Sequence, residues 1–331
     1  MTAFDWTKLQ KPEELELTRK YRFRSDFLPT LFSYLRVQPG MKVVDVGCGT
    51  GSFTLDLARA VGPGGCVTGI DLDERLLTIA GKRATRDEVG KSVRFLHGSA
   101  YEIPLPNGQA DAAVCISLLQ HLRAPVKALV EMKRIVTTGG SVSAVEGVGS
   151  LPPGMPEIDV LPSCGFPANE QLCASLTKID GAWLKHVHPR ATDELKTNRD
   201  TKAVIQRIPA LFHEAGFHKI ELNGHFSVFS FADSRNDYTR LREYARDCLS
   251  HLQNLVESEF AEVVAVAETE SGLHRSDLDK AIDLIHQKSE FLLGDRSRLL
   301  GQHSWIGTAY IICAGSETRE ECFEPPAPQR R

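Results

Sequence analysis

No run of 18 or more apolar residues occurs in the 331-residue chain, so no transmembrane helix is expected. The segment Met1 to Gln10 holds Asp5, Lys8 and two aromatics, and lacks the apolar core of a signal peptide. An excess of positive charge is also missing. The 39 Lys and Arg face 43 Asp and Glu, a net charge of -4, so no global field draws nucleic acid. Aromatics make up only 7%, too few to suggest a stacking platform for bases. The eight cysteines form no C-x-x-C pair, and several sit inside apolar, strand-like runs. That argues against a disulfide scaffold and a structural zinc site, and for reduced, buried thiols in a cytoplasmic protein. No internal repeat is present.

What is there is a regular alternation. Leu28, Leu31, Phe32 and Leu35 recur at helical spacing until Pro39-Gly40. Short apolar strands are then predicted at Lys42–Val46, Cys66–Asp71, Val93–His97, Ala112–Ser117 and Ser141–Glu146. Helices are predicted between them near Phe53–Val61, Glu74–Arg86 and Ala124–Ile135. Alternating β and α elements build a parallel sheet covered on both faces. The regularity breaks at Leu151–Pro167, rich in Pro and Gly. Helices follow at Glu170–Leu184 and Pro209–Ala215, with strand at Lys219–Leu222 and Phe226–Phe231. Arg240–Ala267 is predicted as one long helix with the apolar stripe Leu241, Tyr244, Cys248, Leu252, Leu255, Val256, Phe260 and Val263. Ser276-Asp277-Leu278-Asp279 is predicted to be an N-cap with a carboxylate three residues on, opening a second helix to about Leu293, and Ile306–Ala314 to be the last strand. The pair of helices fits either a core-packing hairpin or a cap over a site.

The strongest motif is Val43-Val44-Asp45-Val46-Gly47-Cys48-Gly49-Thr50-Gly51. A strand runs into three glycines at alternate positions, and a helix follows. Glycine tolerates the backbone angles of such a turn and lets the backbone approach a ligand. A dinucleotide site wants G-x-G-x-x-G. Here Ser52 stands where its third glycine would fall, which opposes an NAD-dependent oxidoreductase. Asp71 ends the second strand, 20 residues after Gly51. A carboxylate there can accept both hydroxyls of a ribose, although Asp71 or Asp73 could instead cap the next helix.

With these residues the chain resembles the class I S-adenosylmethionine (AdoMet)-dependent methyltransferases, in particular the small-molecule group with the ubiquinone/menaquinone-type C-methyltransferases. Val43–Gly51 looks like the family's first motif, Thr68–Asp71 the second, and Gly98-Ser99-Ala100 with Ile103-Pro104 the third. Asp111–Ser117 looks like its fourth strand, and Glu131–Ile135 with Gly139-Gly140 like the stretch before the fifth. The resemblance implies a Rossmann-like, doubly wound, mostly parallel seven-stranded α/β sheet with helical cap insertions. It divides the chain into an N-terminal helical segment 1–36, an AdoMet-binding core 37–150 and a lid insertion 151–204. A core continuation 205–233, a helical cap insertion 234–303, a last core strand 304–316 and a disordered tail 317–331 follow.

By the same resemblance Asp45, Gly47 and Gly49 line the methionine end of AdoMet, within a loop completed by Cys48 and Gly51. Asp71 takes the ribose, Ile70 and Leu72 flank the adenine, Ser99 and Ala100 face its edge, and Ser117 lies beneath the methionine. The family usually has Asp where Ser99 stands, so the contact to the adenine amino group is weaker here. His121 is the candidate general base, since its ordinary pKa suits neutral pH and it follows the fourth strand. Glu146, ending the fifth strand, is a candidate for orienting a substrate donor. His186 and His188 could share a strand face, yet with no third ligand nearby no metal is expected. His225 and Tyr244 are further pocket candidates.

The end of the fourth strand reads Ile116-Ser117-Leu118-Leu119, without the Asn/Asp-Pro-Pro-Tyr/Phe motif common in methyltransferases acting on base amines. Nucleic acid is therefore not the expected substrate. A small, largely apolar acceptor is expected, methylated by in-line SN2 displacement. An AdoMet-binding protein with a non-methylating activity shares the same motifs, and the helices of 234–303 could instead serve a homodimer.

Overall fold

The computed structural model describes residues 12, 23, 25–87, 89, 90, 92–151, 163–186, 201–259, 261, 264, 272–300 and 305–316. Helix α1 (Leu28–Tyr34) leads into β1 (Lys42–Val46), α2 (Ser52–Val61), β2 (Cys66–Asp71), α3 (Glu74–Arg86) and β3 (Val93–His97). Then come β4 (Ala110–Ile116), a single 3-10 turn at Leu119–His121, α4 (Pro125–Ile135) and β5 (Val136–Leu151). The rest of the chain gives α5 (Asn169–His186), α6 (Thr201–Gln206), α7 (Ile208–Glu214), β6 (Lys219–Ser230), α8 (Tyr238–Asn254), α9 (Arg275–Gly294) and β7 (Trp305–Ser316).

The seven strands form one sheet in the order β3-β2-β1-β4-β5-β7-β6. The pairs β1–β2, β1–β4, β2–β3 and β4–β5 are parallel. The order reverses between β1 and β4, and a sheet of this kind places its ligand beyond the carboxyl ends of its strands at that reversal. Strand β1 shows why these residues choose strand. Four of its five residues are buried, as expected of a strand covered on both faces.

The chain divides into two compact units. The first comprises 27–146, 200–224 and 311–331. Its core joins Val44, Val46, Ala113 and Cys115 of the sheet to Leu129, Met132 and Ile135 of α4 and to Phe212 of α7. Phe212 and Phe217 are fully buried with ring centroids 5.2 Å apart. Each such ring stabilises the fold by about 1.5–3 kcal/mol. The second unit comprises 1–26, 147–199 and 225–310. There Leu172, Leu176 and Ile179 of α5 pack with Leu241, Cys248 and Leu252 of α8 and Leu278, Ile285 and Leu292 of α9. The apolar stripe of α8 is thus spent inside a helical core. Lys288 is buried in it, and its Nζ donates to Asn169 Oδ1 at 2.8 Å.

Several boundaries depart from the sequence expectation. Strand β5 begins at Val136, straight after α4. A register shift between Ala110 and Ala112 pairs Ala110 with Val136 but Ala112 with Ser141, so the glycine pair 139–140 sits in a bulge. Strand β6 runs unbroken through Asn223-Gly224, which a strand at the sheet edge tolerates. Helix α8 ends at Asn254 and widens into a π-turn at Leu255–Glu259; Phe260, Val263 and Ala267 lie outside the described residues. The cap of α9 is His274, not Ser276. Its N–H donates to Asp277 Oδ2 at 2.9 Å, so Asp277 is the third-position acid of a capping box. Helix α6, only six residues long, lies where the sequence predicts no element. His186 is the last residue of α5, so the strand geometry assumed for it fails, and His188 lies outside the described residues. So do 1–11, 13–22, 152–162 and the tail 317–331.

Candidate functional site

The carboxyl edges of β1, β2, β3 and β4 carry the residues expected to hold the cofactor, all within the first unit. Asp45 is 2% exposed, and its Oδ2 accepts from Thr54 Oγ1 at 2.6 Å. Asp71 is 6% exposed. Its Oδ2 accepts from the Gly49 N–H at 2.7 Å and its Oδ1 from the Asp73 N–H at 3.0 Å. Asp73 performs the other task that the sequence left open. It caps α3, accepting from the Arg75 N–H at 2.9 Å. The two acids thus divide the work. Asp73 serves the helix, and Asp71 ties the end of β2 to the glycine loop of β1.

The glycines of that loop answer to protein neighbours. Gly47 and Cys48 both donate to Ile70 O, at 2.8 and 3.0 Å. Gly47 has φ +73°, and a Cβ on it would lie 2.8 Å from Leu118 Cδ1. Gly51 has φ +79°, and a Cβ there would lie 2.8 Å from the Cβ of Ala80 on α3. The sequence attributed these glycines to the backbone angles of the turn, which their positive φ bears out, and to ligand approach. At both positions the structure finds a side chain of the fold in the space. Arg83 of α3 reaches the same loop, donating to Ser52 Oγ and, at 3.4 Å, to Thr50 O.

The loop after β3 is braced equally closely. Gly98 donates to Asp71 O at 3.0 Å, and a Cβ on it would be 2.5 Å from Pro104 Cδ. Ser99 Oγ accepts from the Tyr101 N–H at 3.1 Å. Ala100 follows it, and the His97 ring contacts Leu72 O at 3.1 Å. Further along, Arg134 donates to Ile103 O and Leu105 O while bridging to Glu131, whose Oε2 also accepts from the Ile103 N–H. The Arg134 hydrogen bond holds the Glu131 carboxyl below its ordinary range. The Glu131–Ile135 stretch therefore acts as a clamp on the loop bearing Ser99.

Strand β4 ends at a strained residue. Ser117 has φ +50°, uncommon for a residue with a Cβ. His121 closes the single turn that follows, half-buried, its Nε2 3.3 Å from Gln120 Nε2. Glu146, the candidate for orienting a substrate donor, is engaged with the backbone. It is fully buried, and its Oε1 accepts from the N–H groups of Leu118 and Leu119 at 3.1 and 2.8 Å. No short motif in the sequence signals that contact. Cys115 lies between the acids. Burial pushes its thiol well up, and the charges of Glu146 and Asp45 push the same way.

Two candidates fall in the second unit. Tyr244 is a core residue, edge-on to Phe231 at 6.0 Å. His225 stacks with Tyr310 at 6.4 Å and lies beside Phe23, and burial lowers its pKa against the pull of Asp26. No group of three metal-ligating side chains occurs among the described residues, and none of their helices is long and apolar enough to cross a membrane.

A sheet in this order, with a glycine loop behind β1 and an acid ending β2, is the Rossmann-like, mostly parallel α/β arrangement that the sequence resemblance implies. Residues 44–144 match the family described as Methyltransferase domain. A demethylmenaquinone methyltransferase of Geobacillus sp. is 33% identical over 132 residues, 40% of this chain and 54% of that protein. One of Staphylococcus aureus is 37% identical over 110 residues, 33% of this chain and 44% of that protein. The chain thus spans about half the length of the curated relatives it matches. Among solved structures, a Haemonchus contortus phosphoethanolamine N-methyltransferase 2 with S-adenosyl-L-methionine is 13% identical, covering 96% of this chain and 60% of that one, with a TM-score of 0.48.

Proposed function

We propose that this protein transfers a methyl group from AdoMet to a small, largely apolar acceptor. The observation that carries the reading is Asp71, a buried carboxylate bonded to the glycine-loop amide of Gly49 at 2.7 Å. The donor set suits the cofactor. A carboxylate oxygen has two acceptor positions, so one that takes a backbone N–H can also take a ribose hydroxyl. In this reading Asp71 holds the ribose, Ile70 and Leu72 flank the adenine, and Ser99 and Ala100 meet its edge. Asp45, Gly47, Cys48, Gly49 and Gly51 line the methionine end above Ser117. AdoMet supplies an electrophilic methyl to an in-line SN2 displacement. The chain's task is to align the acceptor. His121 is the proposed base for an acceptor that must lose a proton.

A quinone- or lipid-like acceptor is supported by the relatives named demethylmenaquinone methyltransferases. The acidic net charge and the 7% aromatic content favour a small molecule over nucleic acid. No disulfide joins the seven described cysteines to one another, which supports a cytoplasmic setting. The helices of 234–303 bury their apolar stripes within their own unit, so a homodimer through them would use their outer faces. Light scattering tests it.

The deciding experiment titrates the protein with AdoMet by calorimetry, with NADH as the control. Micromolar AdoMet binding without NADH binding is expected. NADH binding without AdoMet binding overturns the reading. Incubation with demethylmenaquinol and labelled AdoMet then separates methyl transfer from simple retention of the cofactor.

A further inference from the structure

Glu146 is a carboxylate taken wholly out of water, in a place where the proposed chemistry needs no acid. It follows Val145 of β5, which pairs with Ile116 of the parallel strand β4. The chain leaves β4 at Ser117, whose N–H donates to Val145 O at 2.8 Å. The left-handed backbone of Ser117, φ +50°, turns the next two amides toward β5. Both end on one oxygen, Glu146 Oε1, at 3.1 Å from Leu118 N and 2.8 Å from Leu119 N. Hydrogen bonds to an acceptor out of water are stronger than the same bonds in solvent.

Those two amides govern what surrounds them. The Leu118 side chain fills the space above Gly47, where a Cβ would approach to 2.8 Å. Leu118 O accepts from the His121 N–H at 3.0 Å and so closes the turn that presents the imidazole. One carboxylate oxygen thereby sets the strained exit from β4, the residue seated on the glycine loop, and the base of the His121 turn.

We propose that Glu146 is a positioning residue for the methyl-transfer centre, fixing the segment Ser117–His121 against the glycine loop through two backbone amides without itself meeting the reactants. The proposal rests on the AdoMet reading above. It also explains why an acid occupies this buried place, where an apolar residue of similar volume would leave two buried N–H groups unmet.

The test compares the full-length wild type with Glu146→Ala and Glu146→Gln. AdoMet affinity is measured by calorimetry and amide exchange at Leu118 and Leu119 by NMR. In E146A, exchange at both amides should rise about 10- to 100-fold, and the AdoMet Kd about tenfold. Exchange at Val44 and Val67 in the strands should hold. In E146Q the amide oxygen still accepts, so both quantities should stay within about threefold of wild type. A merely structural residue would shift stability without that rescue. An unchanged Kd in E146A, or equal losses in E146A and E146Q, overturns the proposal. If E146A does not fold, Glu146→Asp takes its place. It keeps the charge, but its shorter reach should still raise exchange and Kd. A wild type that binds no AdoMet sinks the underlying reading and this inference with it, whereas binding wild type with indifferent variants sinks this inference alone.

Discussion

Asp71→Ala separates the two services that one carboxylate gives. In the free protein the substitution strands the Gly49 and Asp73 N–H groups, which now donate at 2.7 and 3.0 Å. A buried donor left unmet costs about 1–3 kcal/mol. Urea unfolding should therefore show a loss in that range or somewhat above it. In the proposed complex the substitution also removes a bidentate acceptor from the ribose. Two charge-assisted bonds weighed against the water they displace are worth about 2–4 kcal/mol, or roughly 30- to 700-fold in Kd. Calorimetry reads that change at a temperature where the variant is fully folded. Asp73→Ala is the control. It removes the α3 cap, which accepts at 2.9 Å, and should cost about 1 kcal/mol of stability with the Kd held within about threefold. A folded Asp71→Ala with wild-type affinity, or an Asp73→Ala that weakens binding just as much, refutes the ribose assignment.

Gly51→Ala should destabilise by about 1–3 kcal/mol, because φ is +79° and Ala80 Cβ would be 2.8 Å away; Gly81→Ala, with nothing within 4 Å in the helix α3, should stabilise by about 0.4–1 kcal/mol, both read by urea unfolding. The Glu131 carboxyl is held below its ordinary 4.5, so its contribution is complete above about that pH and is lost as pH falls through the lowered folded value; Glu131→Gln should flatten the acid limb of a stability–pH curve. Burial lifts the Cys313 thiol to about 12 and that of Cys115 higher than its ordinary value, so peptide mapping after brief alkylation at pH 8 should find exposed Cys66 modified and those two unmodified. His121→Gln should lower kcat about 100-fold with AdoMet affinity unchanged if the acceptor must lose a proton; single-turnover transfer to demethylmenaquinol checks it, and an unchanged kcat removes the base.

The first half of the fold was legible because each of its elements is local. Lys42–Val46, Cys66–Asp71 and Val93–His97 are apolar runs between turn residues, and they appear with the boundaries that their sequence predicts. The place of Asp71 was legible because its strand and the glycine loop are both local, and its bond to the Gly49 N–H joins them. The misses are of another kind. The start of β5 depends on a bulge against β4, and a register shift is a property of two strands together. The cap of α9 is a His, which carries none of the usual N-cap signal of Ser, Thr, Asp or Asn, although it and Asp277 close a capping box. Glu146 looked like a residue at the lip of a site. Its real partners are amides 27 and 28 residues earlier, which no spacing rule connects.

The glycine loop shows how closely site and core are merged in this fold. A cofactor loop is usually explained by the ligand it must admit, which makes the glycines a clearance. Here the space beside Gly47 belongs to Leu118 and the space beside Gly51 to Ala80. Leu118 is held in turn by Glu146 and Ala80 by its helix, whose first residues depend on Asp73. The loop is therefore shaped from two sides by packing before any ligand arrives. Such a site binds at little cost in loop ordering, since the chain has already fixed those dihedrals. A corollary is that loop substitutions should lower stability and affinity together. The acids behind the loop, Asp71, Asp73 and Glu146, offer the places where the two can be separated, because each acts through backbone amides that a well-chosen variant can keep or remove one by one.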